Sequence, residues 1–260
     1  MARLIGLIMI LGLSIGVIAQ DDGQTIAAAE RAYILGDYEQ AIALYEQVIA
    51  QGATDGVLYY NLGSAYYMAE DYGRALVNYL RAQMVMPRDG DLQQAIARIR
   101  SERLDLQGDD SELLEGLAAI TLSSTTQDEL EGGTFALWTL WFMLLTVFII
   151  YRQQAWRNVL LTGLGIVGVI AAIGLVLTTS RWYVETYTPQ AVVTAKESSV
   201  MSGPDVDYLE HFVLHSGAEV RIHDVEDGWA LVRLPDGRRG WIQVADIAAV
   251  SPEIDQAIRQ

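Results

Sequence analysis

The sequence has no cysteine, a single lysine and only three histidines in 260 residues. The absence of cysteine excludes disulfides, thiol catalysis, cysteine-ligated zinc, iron–sulfur clusters and lipoprotein acylation. The histidines, His211, His215 and His223, fall in predicted strands and turns, where no acidic residues complete a metal site. We therefore predict no metal, no cofactor and no catalytic residues, and we do not expect an enzyme.

Basic side chains are also scarce, because 17 lysine and arginine residues stand against 33 acidic ones, a formal net charge of −16. An acidic surface repels phosphate backbones, so we expect no nucleic-acid partner. Hydrophobic residues nevertheless make up 52% of the chain, and the mean hydropathy of +0.22 is high for a soluble protein. This apolar excess is concentrated in three long runs.

The first apolar run lies at the amino terminus. Arg3 precedes an apolar stretch from Leu4 to Ala19, which ends in the small-residue pattern Val17-Ile18-Ala19. This order is typical of a secretory signal peptide, which we place at residues 1–19. The alternative is an uncleaved membrane anchor, although the run is short for a bilayer span of about 20 residues.

Two further apolar runs lie in the middle of the chain, at residues 134–151 and 159–180. Each is long enough to cross about 30 Å of hydrocarbon, and the link at 152–158 is too short to hold a domain. We predict a two-pass transmembrane hairpin in the cell membrane. Arg152 and Arg157 place the link in the cytoplasm and both soluble domains outside it. The reverse topology is the alternative, since Arg181 follows the second run.

A repeat with a period of 34 residues occupies the amino-terminal region. Four pairs of identical residues share this spacing: Asp37 and Asp71, Tyr38 and Tyr72, Ala41 and Ala75, Tyr45 and Tyr79. The period and the second copy resemble the tetratricopeptide repeat family, on Tyr59, Leu62, Gly63, Tyr66, Ala75, Tyr79, Ala82 and Pro87. We predict an all-α domain at 20–104, with repeats at about 22–55 and 56–89 and a polar capping helix from Asp91 to Arg103.

The resemblance implies a concave groove that binds protein partners. The family pattern places five groove residues at Tyr33, Tyr60, Ser64, Tyr67 and Met68. Tyrosine is common in binding surfaces because it offers a large contact area at a low entropy cost. A clamp for a terminal carboxylate would need lysines, which this region lacks, so we favour a groove for an aromatic peptide or a helix. The alternative is that these rings only pack between helices.

The carboxy-terminal region, at 188–250, consists of short runs rich in β-branched residues and predicts a small all-β barrel. It resembles the bacterial SH3-like (SH3b) family, which implies peptidoglycan or peptide binding. The matching segments are Ser202-Gly203-Pro204, Gly217-Ala218-Glu219-Val220, Gly228-Trp229 and the run from Leu234 to Trp241. We expect Tyr208 and Trp229 to be exposed ligand candidates and Trp241 to lie in the core. An acidic connector at 105–133 precedes the hairpin, and a tail at 251–260 ends the chain.

The order of these segments resembles that of the BatE-like tetratricopeptide membrane proteins of the Bat aerotolerance operon. That resemblance implies partners among membrane proteins with von Willebrand A domains and a role in envelope or stress tolerance. We therefore expect a membrane-anchored, extracytoplasmic scaffold that binds proteins through its groove. The alternative is a cell-wall sensor that binds peptidoglycan through the SH3-like domain.

Overall fold

The computed structural model of the chain describes residues 23–103, 105, 116–117, 121, 124–150 and 154–260. The predicted signal peptide and most of the connector lie outside the described residues, as does part of the link between the two apolar runs. The repeat region contains α1 (23–34), α2 (Tyr38–Ala50), α3 (Gly56–Met68), α4 (Tyr72–Val85) and α5 (Gly90–Glu102). Two long helices follow, α6 (Gln127–Ile150) and α7 (Gln154–Tyr187).

Aspartate residues cap the helices of the repeat region. The carboxylates of Asp37 and Asp71 accept hydrogen bonds from the backbone N–H groups of Gln40 and Arg74, at 3.2 and 3.1 Å. Asp55 caps α3 in the same way, through the N–H of Val57 at 2.7 Å. An aspartate before the first turn satisfies amide groups that the helix itself leaves without a partner. The repeated aspartates therefore mark the same structural position in both copies.

The consensus positions of the repeat form its core. Gly63 allows α3 and α4 to approach closely, because a Cβ atom at this position would lie 2.7 Å from the ring of Tyr79. The buried side chains around this contact are those that the repeat pattern selects: Tyr45, Tyr59, Leu62, Tyr66, Ala75, Tyr79 and Ala82. The prediction of a helical repeat domain is confirmed in this region.

Helices α6 and α7 pack against each other as a hairpin. The indole Nε1 of Trp141 donates to the carbonyl of Leu164 at 3.1 Å, and Gly168 provides the space for this ring. Thr134 and Thr178 are joined through their hydroxyl groups at 3.2 Å. Both helices are long and apolar enough to cross a membrane. Their apolar side chains are largely exposed, including Phe142, Met143, Ile149, Val169 and Ile173.

The small residues of α7 contact α6 at only some of their positions. Gly168 and Gly174 face α6, because Cβ atoms there would lie 2.8 Å from Trp141 and 3.0 Å from Thr134. Gly165 has open space around it, and Ala172 is exposed while its neighbour Ala171 is fully buried. Which small residues contact α6 depends on the angle at which the two helices cross. The spacing of residues in the sequence does not determine that angle.

The carboxy-terminal domain is an antiparallel sheet with strand order β3-β2-β6-β5-β4-β1-β7. The strands are β1 (Gln190–Val193), β2 (Glu197–Met201), β3 (Glu210–His215), β4 (Glu219–Glu226), β5 (Trp229–Arg233), β6 (Arg239–Gln243) and β7 (Ile247–Ala249). The turn at Pro235-Asp236-Gly237 joins β5 to β6, and Gly237 adopts a φ of +84° there. The predicted tail contains a short helix, α8 (Pro252–Ile258).

Two expectations for tryptophan residues in the sheet are wrong. Trp229 is only 9% exposed at the start of β5, so its ring is not open to a ligand. Trp241 is partly exposed, whereas its neighbours Gly240 and Ile242 are buried. Successive side chains of a strand point to opposite faces, so Trp241 lies on the outer face.

Candidate functional site

The predicted groove residues share one face of the repeat region. Tyr60, Ser64, Tyr67 and Met68 lie on α3, at spacings that put them on one side of a helix. All four are partly or fully exposed, whereas Tyr59, Leu62 and Tyr66 on the opposite side of α3 are buried. Tyr33, on α1, is likewise partly exposed. We refer to Tyr33, Tyr60, Ser64, Tyr67 and Met68 as the aromatic face.

An aromatic pair occurs once in each repeat. The rings of Tyr33 and Tyr38 lie 5.6 Å apart at 63°, and those of Tyr67 and Tyr72 lie 5.5 Å apart at 61°. The two pairs have the same edge-to-face geometry, which aromatic rings favour. Tyr38 and Tyr72 are not among the site residues predicted from the sequence, although their 34-residue spacing indicates that they occupy equivalent positions in the two repeats.

Exposed aliphatic side chains adjoin both pairs. Ile34 follows Tyr33 and is 79% exposed, and Met68 follows Tyr67 and is 44% exposed. These two residues occupy the same position in successive repeats, at the carboxyl end of α1 and of α3. The face therefore offers two similar apolar contact points, one per repeat.

Ser64 lies within a polar chain under the aromatic face. The hydroxyl of Tyr79 donates to Ser64 Oγ at 3.2 Å, and Ser64 Oγ donates to the carbonyl of Tyr60 at 2.9 Å. Burial raises the pKa of Tyr79 to about 12, with a smaller opposing effect from the hydrogen bond to Ser64. Burial also raises the pKa of Tyr33, as do the nearby Tyr38 and Tyr60. Tyr33 and Tyr79 thus remain neutral phenols at physiological pH.

The repeats around the aromatic face are acidic. Residues 32–73 contain six aspartate and glutamate residues and neither lysine nor arginine. Glu30 and Glu70 are exposed on and beside the face. Burial raises the pKa of Tyr45 to about 12, and the charge of Glu30 adds to this effect. A negative potential beside neutral rings favours a ligand with cationic and apolar groups.

The two ligand candidates of the sheet differ in accessibility. Tyr208 lies in the loop between β2 and β3, is 52% exposed and packs against Gly203. Leu209 and Val206 in the same loop are also exposed. Trp229 is buried at the start of β5, so the structure does not present it beside Tyr208 as an open ligand surface.

The sheet packs against the repeat helices through side chains that the sequence did not single out. Arg100 on α5 donates two hydrogen bonds to Glu219 of β4, at 2.7 and 2.8 Å, and Arg103 adds a third at 3.0 Å. Arg81 on α4 donates to the carbonyls of Ala249 and Val250. The helix predicted as a polar cap is therefore an interface. Because the sheet contacts α4 and α5, it does not cover the aromatic face on α1 and α3.

One further arginine joins the repeats to the hairpin, and another joins α7 to the segment before α6. Arg88, between α4 and α5, pairs with Glu129 on α6 at 2.9 Å and donates to the carbonyl of Ser124. Arg181 on α7 is buried, donating to Glu185 at 2.8 Å and to the carbonyl of Thr125 at 2.9 Å. These contacts fix the repeat region close to the point at which both apolar helices begin or end.

A family model described as tetratricopeptide repeat matches residues 32–101. The match spans α2 to α5 together with the end of α1, which confirms the repeat predicted from the 34-residue period. No curated protein matches the chain. Within the described ranges, no group of three or more histidine, aspartate and glutamate side chains could hold a metal ion. Tetratricopeptide repeats are interaction modules with extended concave surfaces, so the match supports protein–protein interaction.

Proposed function

We propose that this protein is a membrane-anchored, extracytoplasmic scaffold that binds a protein partner through the aromatic face. The observation that carries the proposal is the duplicated aromatic pair, Tyr33 with Tyr38 and Tyr67 with Tyr72, beside the exposed Ile34 and Met68. Rings already held edge to face lose little conformational entropy on binding.

The partner that this face fits is a peptide segment or helix with apolar side chains and flanking lysine or arginine residues. The apolar side chains would contact the two aromatic pairs, while the cations would face the acidic side chains of residues 32–73. The acidic surroundings would speed association and make it sensitive to salt.

Membrane anchoring is supported by the surface of the hairpin. An exposed apolar surface of this size is not stable in water and has to be covered by lipid or protein. Arg152 and Arg157 in the link favour a cytoplasmic link, with the repeats and the sheet outside. The finer identification, a Bat-type envelope or stress-tolerance complex with von Willebrand A-domain partners, rests on the resemblance in segment order.

Anchoring and orientation can be tested with single cysteines, because the chain has none of its own. Ala97→Cys on α5 and Asn158→Cys near the link would be labelled in intact cells with a membrane-impermeant maleimide. We expect labelling of Ala97→Cys alone. Labelling of Asn158→Cys alone would reverse the topology, and release of the chain from membranes by carbonate would contradict anchoring.

The binding site can be tested by crosslinking in cells, followed by affinity purification and mass spectrometry. The variant is Tyr60→Ala/Tyr67→Ala, and Tyr208→Ala, which removes a more exposed ring from the sheet, is the control. We expect discrete membrane partners with the wild type and with Tyr208→Ala, and their loss with the double variant. Circular dichroism would verify that the variant keeps its helices. Full retention of partners by a folded double variant would contradict the proposal.

The second candidate function is cell-wall binding through the sheet as an SH3-like domain. The observation that favours it is the exposed loop at 203–209, with Tyr208 52% and Leu209 78% exposed. If this function is correct, the full chain in detergent will sediment with purified peptidoglycan, and Tyr208→Ala will reduce the bound fraction. Sedimentation that Tyr60→Ala/Tyr67→Ala lowers instead would place wall binding outside the sheet.

A further inference from the structure

Three tyrosine side chains of the aromatic face cluster around a fourth tyrosine. Burial is the main cause that raises the pKa of Tyr79, and the proximity of Tyr60, Tyr33 and Tyr67 raises it further. The rings of Tyr60 and Tyr79 lie 5.6 Å apart. Tyr79 donates its own hydroxyl proton to Ser64, whereas Tyr33, Tyr60 and Tyr67 are partly exposed. The face therefore presents three phenols beside one that is already hydrogen-bonded.

The hydroxyl groups of these three phenols are available to a ligand. Among the residues that the structure describes, none accepts from or donates to the hydroxyl of Tyr33, Tyr60 or Tyr67. A neutral phenol donates one O–H. Residues 32–73 contain six acidic side chains and no lysine or arginine, so a carboxylate or phosphate would be repelled. The acceptors that fit this cluster are neutral, and backbone carbonyl groups are the most common neutral acceptors in a protein.

The conformation of a bound peptide decides whether its carbonyl groups are free. An α-helix uses its carbonyl groups internally except in the last turn, so a bound helix could not accept from hydroxyl groups along its length. A polyproline II segment has no internal hydrogen bonds and leaves every carbonyl free. Because α1 and α3 are helices, they offer no sheet edge to the N–H groups of an extended peptide. Proline has no N–H, so a proline-rich segment leaves few donors buried without a partner.

We propose that the aromatic face binds a proline-rich segment in the polyproline II conformation, flanked by lysine or arginine residues. The hydroxyl groups of Tyr33, Tyr60 and Tyr67 donate to its carbonyl groups, while its proline rings pack on the tyrosine rings. Three residues of polyproline II rise about 9 Å, close to the spacing of about 8–10 Å between packed helices. The flanking cations face the exposed Glu30 and Glu70. This inference rests on the proposed function and adds the conformation of the bound segment.

Two fluorescent peptides distinguish a proline-rich ligand from a helical one. The first is Arg-Pro-Leu-Pro-Pro-Leu-Pro-Pro-Arg, and the second replaces every proline by alanine while it keeps both charges and both leucines. Fluorescence anisotropy with the full chain in detergent would measure both affinities. We expect the proline peptide to bind on the order of ten-fold more tightly, since one buried N–H without a partner costs about that much. Equal or tighter binding of the alanine peptide would overturn the proposal.

Tyr60→Phe/Tyr67→Phe tests the hydroxyl groups separately, because it keeps both rings. One hydrogen bond is worth roughly five-fold in affinity, so we expect this variant to bind the proline peptide on the order of 25-fold more weakly. Tyr208→Phe removes an exposed hydroxyl from the sheet and should bind like the wild type. Unchanged affinity in Tyr60→Phe/Tyr67→Phe would overturn the proposal.

Failure of this inference differs from failure of the proposed function. If the wild type binds neither peptide, or binds the alanine peptide better, the proline-rich segment is wrong. The proposed function still stands in that case if Tyr60→Ala/Tyr67→Ala loses its partners in cells. Retention of those partners by the folded alanine variant would contradict the proposed function itself.

Discussion

Arg100 and Glu219, 119 positions apart in the sequence, join the repeat helices to the sheet through two hydrogen bonds of 2.7 and 2.8 Å. The same carboxylate accepts hydrogen bonds from Arg103 and from the amide of Gln190. Its side chain is only 11% exposed. A buried carboxylate between two guanidinium groups is stable only while the domains stay together, so this cluster fixes the orientation of the aromatic face relative to the sheet.

Glu219→Gln should loosen the contact between the domains. The change removes the negative charge that faces Arg100 and Arg103, and we expect a loss of about 2 kcal/mol in the free energy of unfolding. This loss of stability is smaller than that expected for a fully buried ion pair, because the Arg100 side chain is 42% exposed. Urea unfolding of the full chain in detergent would measure it. Asp236→Asn, in the more exposed pair with Arg238, is the control and should cost less than about 1 kcal/mol.

Gly73 provides a second test of the same interface. A Cβ atom at this position would lie 2.5 Å from the carbonyl oxygen of Val193 and 2.9 Å from Thr194 Cα. In an isolated helix, Gly→Ala is stabilising by about 1 kcal/mol, but here the new methyl group would push the sheet from α4. We expect Gly73→Ala to be destabilising and to increase proteolysis between the domains. Gly90→Ala, where nothing lies within 4 Å of the added Cβ, should be neutral or stabilising.

The repeat was predictable from the sequence, whereas the interface was not. A period of 34 residues identifies Tyr59, Gly63 and Tyr79 as core, because the same local contacts recur in each repeat. No local pattern connects Arg100 with Glu219, since each is an ordinary charged residue until the fold brings the two together. The two wrong expectations for Trp229 and Trp241 have a similar origin. Alternation along a strand separates two faces but does not show which face is covered.

Alkaline pH should unfold the repeat region. Burial raises the pKa of Tyr45 and Tyr79 to about 12 from an ordinary value of 10.0. The folded state therefore holds its phenolic protons more tightly than the unfolded state does. The stability from this effect is complete below pH 10 and is lost as the pH rises from 10 to about 12.

Absorbance of phenolate at 295 nm and helical circular dichroism, followed together against pH, would test this expectation. We expect a late group of tyrosines to ionise in step with the loss of helix. Tyr45→Phe should reduce the dependence of stability on pH above 10, because it removes one of the linked protons. Ionisation of all tyrosines near pH 10 with the helices intact would contradict it.

The contact between α6 and α7 can be measured with a designed disulfide. The hydroxyl oxygens of Thr134 and Thr178 lie 3.2 Å apart, so Thr134→Cys/Thr178→Cys should form a disulfide rapidly under mild oxidation. The chain has no other cysteine, so the product is unambiguous.

Gly168→Leu in the Thr134→Cys/Thr178→Cys background should slow disulfide formation several-fold, because even a Cβ atom at this position would lie 2.8 Å from Trp141 Nε1. Gly163→Leu adds the same side chain at a position with nothing within 4 Å of its Cβ, and it should leave the rate unchanged. Equal slowing by both leucines would mean that bulk on α7, rather than the contact with Trp141, controls the packing of the hairpin.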